Sequence, residues 1–485
     1  MRRITRYTVF ALCLGLGLST CYILAQKKSI PAQPDQATEE IPVNQTNAPL
    51  DSGQPEDEFS ESIKFGPIEP MTGYTNTTTT VILRESADAS APISAKLKVS
   101  SYEGVVILDA TRDFLRVRFP AHDGADNGGY VRERDYEGWT TWASVMTEMS
   151  AIVLDAETGA VVARVPLNEG ISAIAFSPDS SRAIFYSGNN SLGRVAYEVQ
   201  TSDYKLERSL TTVANDEYFG TLFYGPADGA LYATFHPSGN AHPGSNGINL
   251  VRIGEEGVTP TEIGSDRNNF LLISPDGLTA LRAHEESVSV SKLMIDVIDL
   301  TTLKVRNSFW LDRTTASSEM GDYLLNKDGS ELYLRQLDAY TIPVIDTRTG
   351  QQVRELQSRN AGDDGPSFSQ GDLIGGSVLV RIWNAETDER NDRAQKFWVG
   401  EGRRMLAEPG IDYATEAGGK RYAVNEEGTR LFKLNDNNRI QKRFVIDRPE
   451  RRKGADSGNG LSVFGFSASP DGKHLILFLG MEHGC

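Results

Sequence analysis

The chain has 485 residues, 45 of them Gly, and a formal net charge of −17 at pH 7. That length exceeds what one hydrophobic core usually supports, so more than one domain is expected. The acidic balance argues against nucleic acid, which rewards clustered Lys and Arg, and against docking on anionic lipid through a basic patch.

Residues 1–25 read as an export signal. Arg2, Arg3 and Arg6 form a basic start, and Tyr7 to Ala25 is apolar or small throughout. Three outcomes stay open: cleavage after Ala25, lipidation at Cys21, or retention as an anchor. Leu18-Ser19-Thr20-Cys21 resembles a bacterial lipoprotein processing site, and the apolar run approaches a membrane-spanning length of about 20 residues. Each outcome puts the bulk of the chain outside the inner membrane, in the periplasm or cell envelope. Cys13 and Cys21 lie in this segment and Cys485 is the remaining thiol, so a chain cleaved after Ala25 can form no intrachain disulfide.

Residues 26–73 are acidic and rich in Pro and Gln, with apolar residues scattered without period. Such a segment cannot bury enough surface to offset its ordering entropy, so it is expected to be a disordered linker. Residues 74–149 change character. Val81 to Ser86, Val105 to Ala110 and Phe114 to Phe119 read as short strands, and Tyr136 to Ala143 follows with Trp139 and Trp142. Four or five short strands in so few residues make a small β-barrel. The order resembles the bacterial Src-homology-3-like domain, carried by Leu83-Arg84, Lys96-Leu97-Lys98, Leu115-Arg116-Val117 and Gly138-Trp139. The resemblance implies binding of cell-wall peptides or proteins. Tyr130, Tyr136, Trp139 and Trp142 are the candidate groove residues, set against the alternative that these aromatics only fill the core.

Residues 150–485 repeat one pattern: apolar strand, Ser-Pro-Asp-Gly-type turn, second strand, third strand ending in Asp, Thr-Gly-type turn, final strand. The turn acids are Asp179, Asp228, Asp276, Asp328, Glu427 and Asp471, and the gap between Asp328 and Glu427 is two periods. Gly375-Gly376 is the candidate turn of the copy between them. Seven repeats of about 48 residues fit propeller blades. The last hairpin, around Ser469-Pro470-Asp471-Gly472, lacks its second half, whereas residues 151–165 have a second half and no first. Pairing the two would close the last blade. This region resembles the YVTN and WD-repeat-like β-propellers of bacterial envelopes. The expected fold is therefore all-β, a small β-barrel followed by a seven-bladed β-propeller.

The chemistry is sparse. Each turn acid is explained by a bond from the backbone two residues on. No metal loop is complete, and the His236 and His242 pair lacks further ligands. No nucleophile elbow or phosphate-cradling loop is present. No catalytic, cofactor or metal residue is therefore assigned. Trp310, Trp383 and Trp398 are expected to pack between blades. The leading reading is a non-catalytic envelope binding or scaffold protein whose partner is a protein or peptidoglycan, attached to the membrane only through its N-terminal segment. The alternative is a lactonase-like propeller hydrolase with a metal in its central channel.

Overall fold

The computed structural model describes residues 63–68, 70–75, 78–100, 103–110, 114–122, 127–132, 145–146, 149–168, 171–187, 194–213, 218–236, 249–255, 257–261, 263, 268–284, 292–312, 323–335, 341–357, 373–382, 395–401, 403–446 and 461–481. Regular structure among them is β-strand throughout, and the protein is all-β.

Six four-stranded antiparallel meanders follow one another along the chain, spanning residues 171–212, 218–260, 268–312, 323–357, 373–406 and 413–445. We call them the first to sixth sheets. A seventh, the seam sheet, joins distant parts of the sequence. Its strands are Leu461–Ala468 and His474–Met481, then Met149–Asp155 and Val161–Leu167. His474–Met481 runs antiparallel to Met149–Asp155, with His474 opposite Asp155 and Phe478 opposite Ala151.

The second strand of each sheet explains how the sheets stack. Successive side chains of a strand point to opposite faces, so a strand covered on both sides reads as a continuous apolar run. Leu332 faces the third sheet and packs in one core with Leu281 and Ile295, while its neighbour Tyr333 packs with Val378 and Val380 of the fifth. The same division holds at Ile184 and Phe185, at Ala280 and Leu281, and at Tyr422 and Ala423. Each sheet thus shares a core with the next. The series closes where Val153 and Phe478 of the seam sheet meet Phe185 and Tyr197 of the first. Phe185 and Phe478 meet edge to face there, with centroids 5.8 Å apart.

The turns carry the signatures that the sequence suggested. Ser177, Ser274 and Ser469 are buried, and each hydroxyl donates to the acid two residues on, at 2.6–2.7 Å. That acid accepts the backbone N–H a further two residues along, as in Ser181 to Asp179 at 3.0 Å. The third-to-fourth-strand turn has its own rule. Its fifth residue adopts the left-handed conformation: Gly159, Tyr204, Leu303, Gly350 and Asn438 all have φ between 52° and 70°. Gly is required where the preceding sheet presents Phe. A Cβ on Gly159 would lie 2.7 Å from Cβ of Phe444, and one on Gly350 would lie 2.5 Å from Cβ of Phe309.

Three expectations are corrected. The linker assigned to 26–73 is ordered at its end, because Ile63–Gly66 is a strand on the outer edge of the first sheet and Met71–Thr75 belongs to the small sheet described next. An alternating Ile-Lys-Phe needs only an open edge to become a strand, and Leu206–Thr212 supplies one. The sixth sheet is out of phase with its repeat: Asn425 to Gly428 joins its second and third strands, and Gly418-Gly419 joins the first two. Trp310 does not pack between sheets. It lies on the outermost strand of the third sheet and is 39 % exposed, whereas Trp398 is buried between the fifth and sixth as expected. Trp383 lies outside the described residues.

Between Ile63–Gly66, which we call the leader strand, and the seam sheet lies one seven-stranded sheet, the small sheet, formed by Met71–Thr75, Thr79–Arg84, Ile93–Val99, Gly104–Ala110, Phe114–Arg118, Gly128–Arg132 and Val145–Met146. Leu83, Val105, Leu115, Val117 and Val131 fill its buried side, in a core continuous with that between the seam and first sheets. The small sheet is therefore seated over the closure.

Candidate functional site

The exposed side of the small sheet brings together residues that are far apart in sequence. Arg84 pairs with Tyr130, and Tyr130 pairs with Arg116. Residues directly opposite across antiparallel strands project to the same face, so Arg84, Tyr130 and Arg116 form one row over three central strands. Leu83, Val131 and Leu115, their chain neighbours, point the other way into the core. Ile93, 45 % exposed, continues the row beyond Arg84, and Asp109 continues it beyond Arg116.

Local chemistry fixes this row. The Arg84 Nη1 donates to the Ala91 carbonyl at 2.9 Å, which ties the guanidinium to the following turn. Gly129 lets two strands approach closely, since a Cβ there would lie 2.9 Å from the Arg84 carbonyl oxygen. Arg116 and Arg118 are exposed and one residue apart on the same face, and Gly128 opposite Arg118 leaves the surface beside it uncovered. Three guanidinium groups around a half-buried phenol make a cationic, aromatic patch on a chain whose net charge is −17. Guanidinium pairs carboxylate through two parallel bonds, and the Tyr ring adds an amphipathic surface.

Of the four groove residues expected from the sequence, only Tyr130 is described, and the structure surrounds it with arginines. Tyr136, Trp139, Trp142, Cys21 and Cys485 lie outside the described residues. Arg84 and Arg116 figured in the sequence only within segments that carry the barrel resemblance, not as binding residues. Only strand register brings them to Tyr130.

The other polar clusters serve the fold. Glu198, 3 % exposed, accepts from Arg208 Nε, from Arg182 Nη1 at 3.3 Å and from the Tyr224 hydroxyl at 2.9 Å. Burial, reinforced by Glu198, raises the Tyr224 phenol well above its ordinary value. Asp296 accepts Arg282 Nε at 3.1 Å and Ser308 Oγ at 2.6 Å. Arg354 clamps Glu331, with the Tyr333 hydroxyl donating to the same carboxylate at 2.9 Å. The Asp296 and Glu331 partners lie within their own sheets, and Glu198 also reaches Tyr224 of the second sheet. Across the seam, the Tyr204 hydroxyl meets His474 Nδ1 at 3.1 Å, and the rings are edge to face with centroids 5.4 Å apart. Asp155, below His474, is held under the usual carboxylate range, chiefly by the Thr158 hydroxyl that donates to it. Among the described residues, no three His, Cys, Asp or Glu side chains converge as metal ligands.

Comparison with known proteins gives remote likenesses. No family model and no curated protein sequence matches the chain. Among solved structures, it is similar to hydrazine synthase of Kuenenia stuttgartiensis, at 18 % identity and TM-score 0.38, over 63 % of this chain and 91 % of that one. It is similar to the dihydro-heme d1 dehydrogenase NirN at 12 % identity and TM-score 0.37, over 83 % of this chain and 82 % of that one. It is also similar to the Dos1 propeller at 10 % identity and TM-score 0.35, over 87 % and 97 % of the two chains. No function is carried over from any of the three.

Proposed function

We propose that this chain is an exported, membrane-tethered protein of the cell envelope that binds other proteins or cell wall and catalyses no reaction. In this reading the seven ring sheets are the blades of a seven-bladed β-propeller. The small sheet is a Src-homology-3-like barrel mounted over the closing seam. The row of Arg84, Tyr130 and Arg116 on its exposed side supports this most directly, because it combines an aromatic anchor with carboxylate-binding donors on rigid strands. Stem peptides of cell wall and acidic segments of proteins both offer the carboxylates that this face suits.

The test compares wild type with Tyr130→Ala/Arg116→Glu in two assays: co-sedimentation of the full chain with purified cell wall, and crosslinking pull-down from intact cells. The variant is expected to lose at least about tenfold in one of them, since aromatic and Arg anchors carry most of the energy of an interface. Equal recovery of both proteins in both assays would rule out this face as the binding site.

A further inference from the structure

The first sheet differs from the six others in having a fifth strand, and that strand comes from outside the ring. Ile63–Gly66 runs antiparallel to Leu206–Thr212, with Ile63 opposite Thr212, Phe65 opposite Leu210 and Gly66 opposite Ser209. Among the described residues each of the other ring sheets has four strands, so the ring pattern itself does not call for a fifth. What holds this one is a set of side-chain contacts specific to its sequence.

Ile63 is 1 % exposed and packs in the core between the first and second sheets, with Leu210 and Val258. Phe65 lies beneath the Arg208 guanidinium, 3.8 Å from its carbon to the ring centroid. Arg208 is itself fixed by buried Glu198 and by Glu255 of the second sheet, the latter at 3.3 Å. The Ser209 hydroxyl then donates to the Pro67 carbonyl at 2.9 Å. A pocket, a cationic platform and a terminal donor, all supplied by the ring, thus read successive features of a five-residue segment. Main-chain pairing that gives affinity, combined with side-chain pockets that give specificity, is how strand-addition sites recognise peptides.

We propose that the outer edge of Leu206–Thr212 is a peptide-recognition site, and that residues 63–67 are its resident ligand in cis. Its other occupant is an extended segment of a partner protein carrying a branched aliphatic residue, an aromatic two positions later, and then Gly-Pro. Such a segment displaces the leader strand, which pairs along one edge over four residues only. Pro67 and Pro70 separate the leader from the small sheet, so its release leaves both the small sheet and the four-stranded first sheet intact. This site is distinct from the Tyr130 face, and either can exist without the other.

The experiment uses full-length chains and a fluorescent synthetic peptide of residues 62–67. In Ile63→Asp/Phe65→Ala the leader no longer fits, and the edge is open to the peptide in trans. Because a tethered segment competes at an effective concentration of about millimolar, the variant is expected to bind the peptide at least about tenfold more tightly than wild type does. A peptide with Ala in place of Phe65 is expected to lose at least about tenfold on the same variant. A variant that melts cooperatively but fails to bind the peptide, or binds both peptides equally, overturns the proposal. If the variant does not fold, hydrogen exchange on wild type decides. Amides of Ile63–Gly66 exchanging well before those of the ring support a releasable strand, and amides that open only with the whole ring refute it. Dimerisation of wild type that is lost in the variant would place a second copy's leader on this edge and overturn the partner-protein occupant.

Discussion

Replacing Phe478 by Ala tests whether the ring closes through the seam. Phe478 is fully buried and meets Phe185 edge to face, with the planes at 78°. Deleting a buried Phe side chain costs about 3–5 kcal/mol, from lost transfer energy and the cavity left behind. With a urea dependence of about 3 kcal/mol per molar for a chain of this size, the unfolding midpoint should fall by about 1 M or slightly more. Phe432→Ala, in the core between the fifth and sixth sheets, provides the comparison, since Phe432 is buried to a similar degree far from the chain ends. In a closed ring all seven interfaces belong to one cooperative unit, so both variants should shift the same single transition. The assay is equilibrium unfolding in urea, followed by Trp fluorescence and by hydrogen exchange. Removing residues 465–485 is the stronger perturbation and is expected to unfold every sheet. If Phe478→Ala, or the truncation, abolished protection in the seam sheet alone and left the third and fourth sheets at wild-type stability, the seam would be a frayed end and the closure argument would fail.

Three further outcomes follow from single sites. Asp296→Ala leaves buried Arg282 without its carboxylate and should lower stability by about 3–5 kcal/mol in thermal melts, whereas Arg282→Met/Asp296→Leu should recover most of that loss. Gly350→Ala meets Phe309 as well as an unfavourable φ of 70° and should cost more than Gly229→Ala, where φ is 64° and the space is open; the latter should cost about 1–2 kcal/mol, and chemical denaturation of the two variants gives the comparison. The Asp179 carboxyl is held down at about 2, first by the Ser177 hydroxyl and then by the Ser181 backbone N–H. A depressed carboxylate contributes stability above its unfolded value, near 4, and loses it as pH falls through the folded one. Melting temperatures of wild type and Asp179→Asn should therefore differ at pH 7 and converge between pH 4 and 2.

Local turn chemistry was the most legible feature of the sequence. Ser177, Ser274 and Ser469 with their acids mark the first hairpin of three sheets because the whole motif is contained in five residues. The same locality misled at Glu427. Asn425 to Gly428 makes an equally good turn, with the Asn425 side chain donating to both Glu427 and Thr429, but a turn does not declare which pair of strands it joins. Gly418-Gly419, both at positive φ, carried the true first hairpin with a shorter signal. Features set by register were not legible. Arg84 and Arg116 flank Tyr130 only because three strands align, and the Ile63–Gly66 strand exists only because the first sheet offers an edge and a pocket for Ile63. Trp310 lies in a strand of the repeat, and membership of a strand alone does not tell an inner strand from an outer one.

The placement of the N-terminal region follows from the same geometry. A ring assembled from one chain has a single junction where its two ends meet, and that junction is held by one pair of strands in place of a continuous backbone. Here it receives three reinforcements. Val145–Met146 of the small sheet passes almost directly into Met149–Asp155, the strand that pairs with His474–Met481. The small sheet's core runs into the seam core through Leu83 and Val117 on one side and Val153 and Phe478 on the other. Tyr204 adopts a left-handed conformation, where two other sheets use Gly, and from it reaches His474. A bulky residue held in that conformation costs about 1–2 kcal/mol, so it persists only where its contact compensates. Opening the ring at the seam would therefore uncover part of the small sheet's core as well.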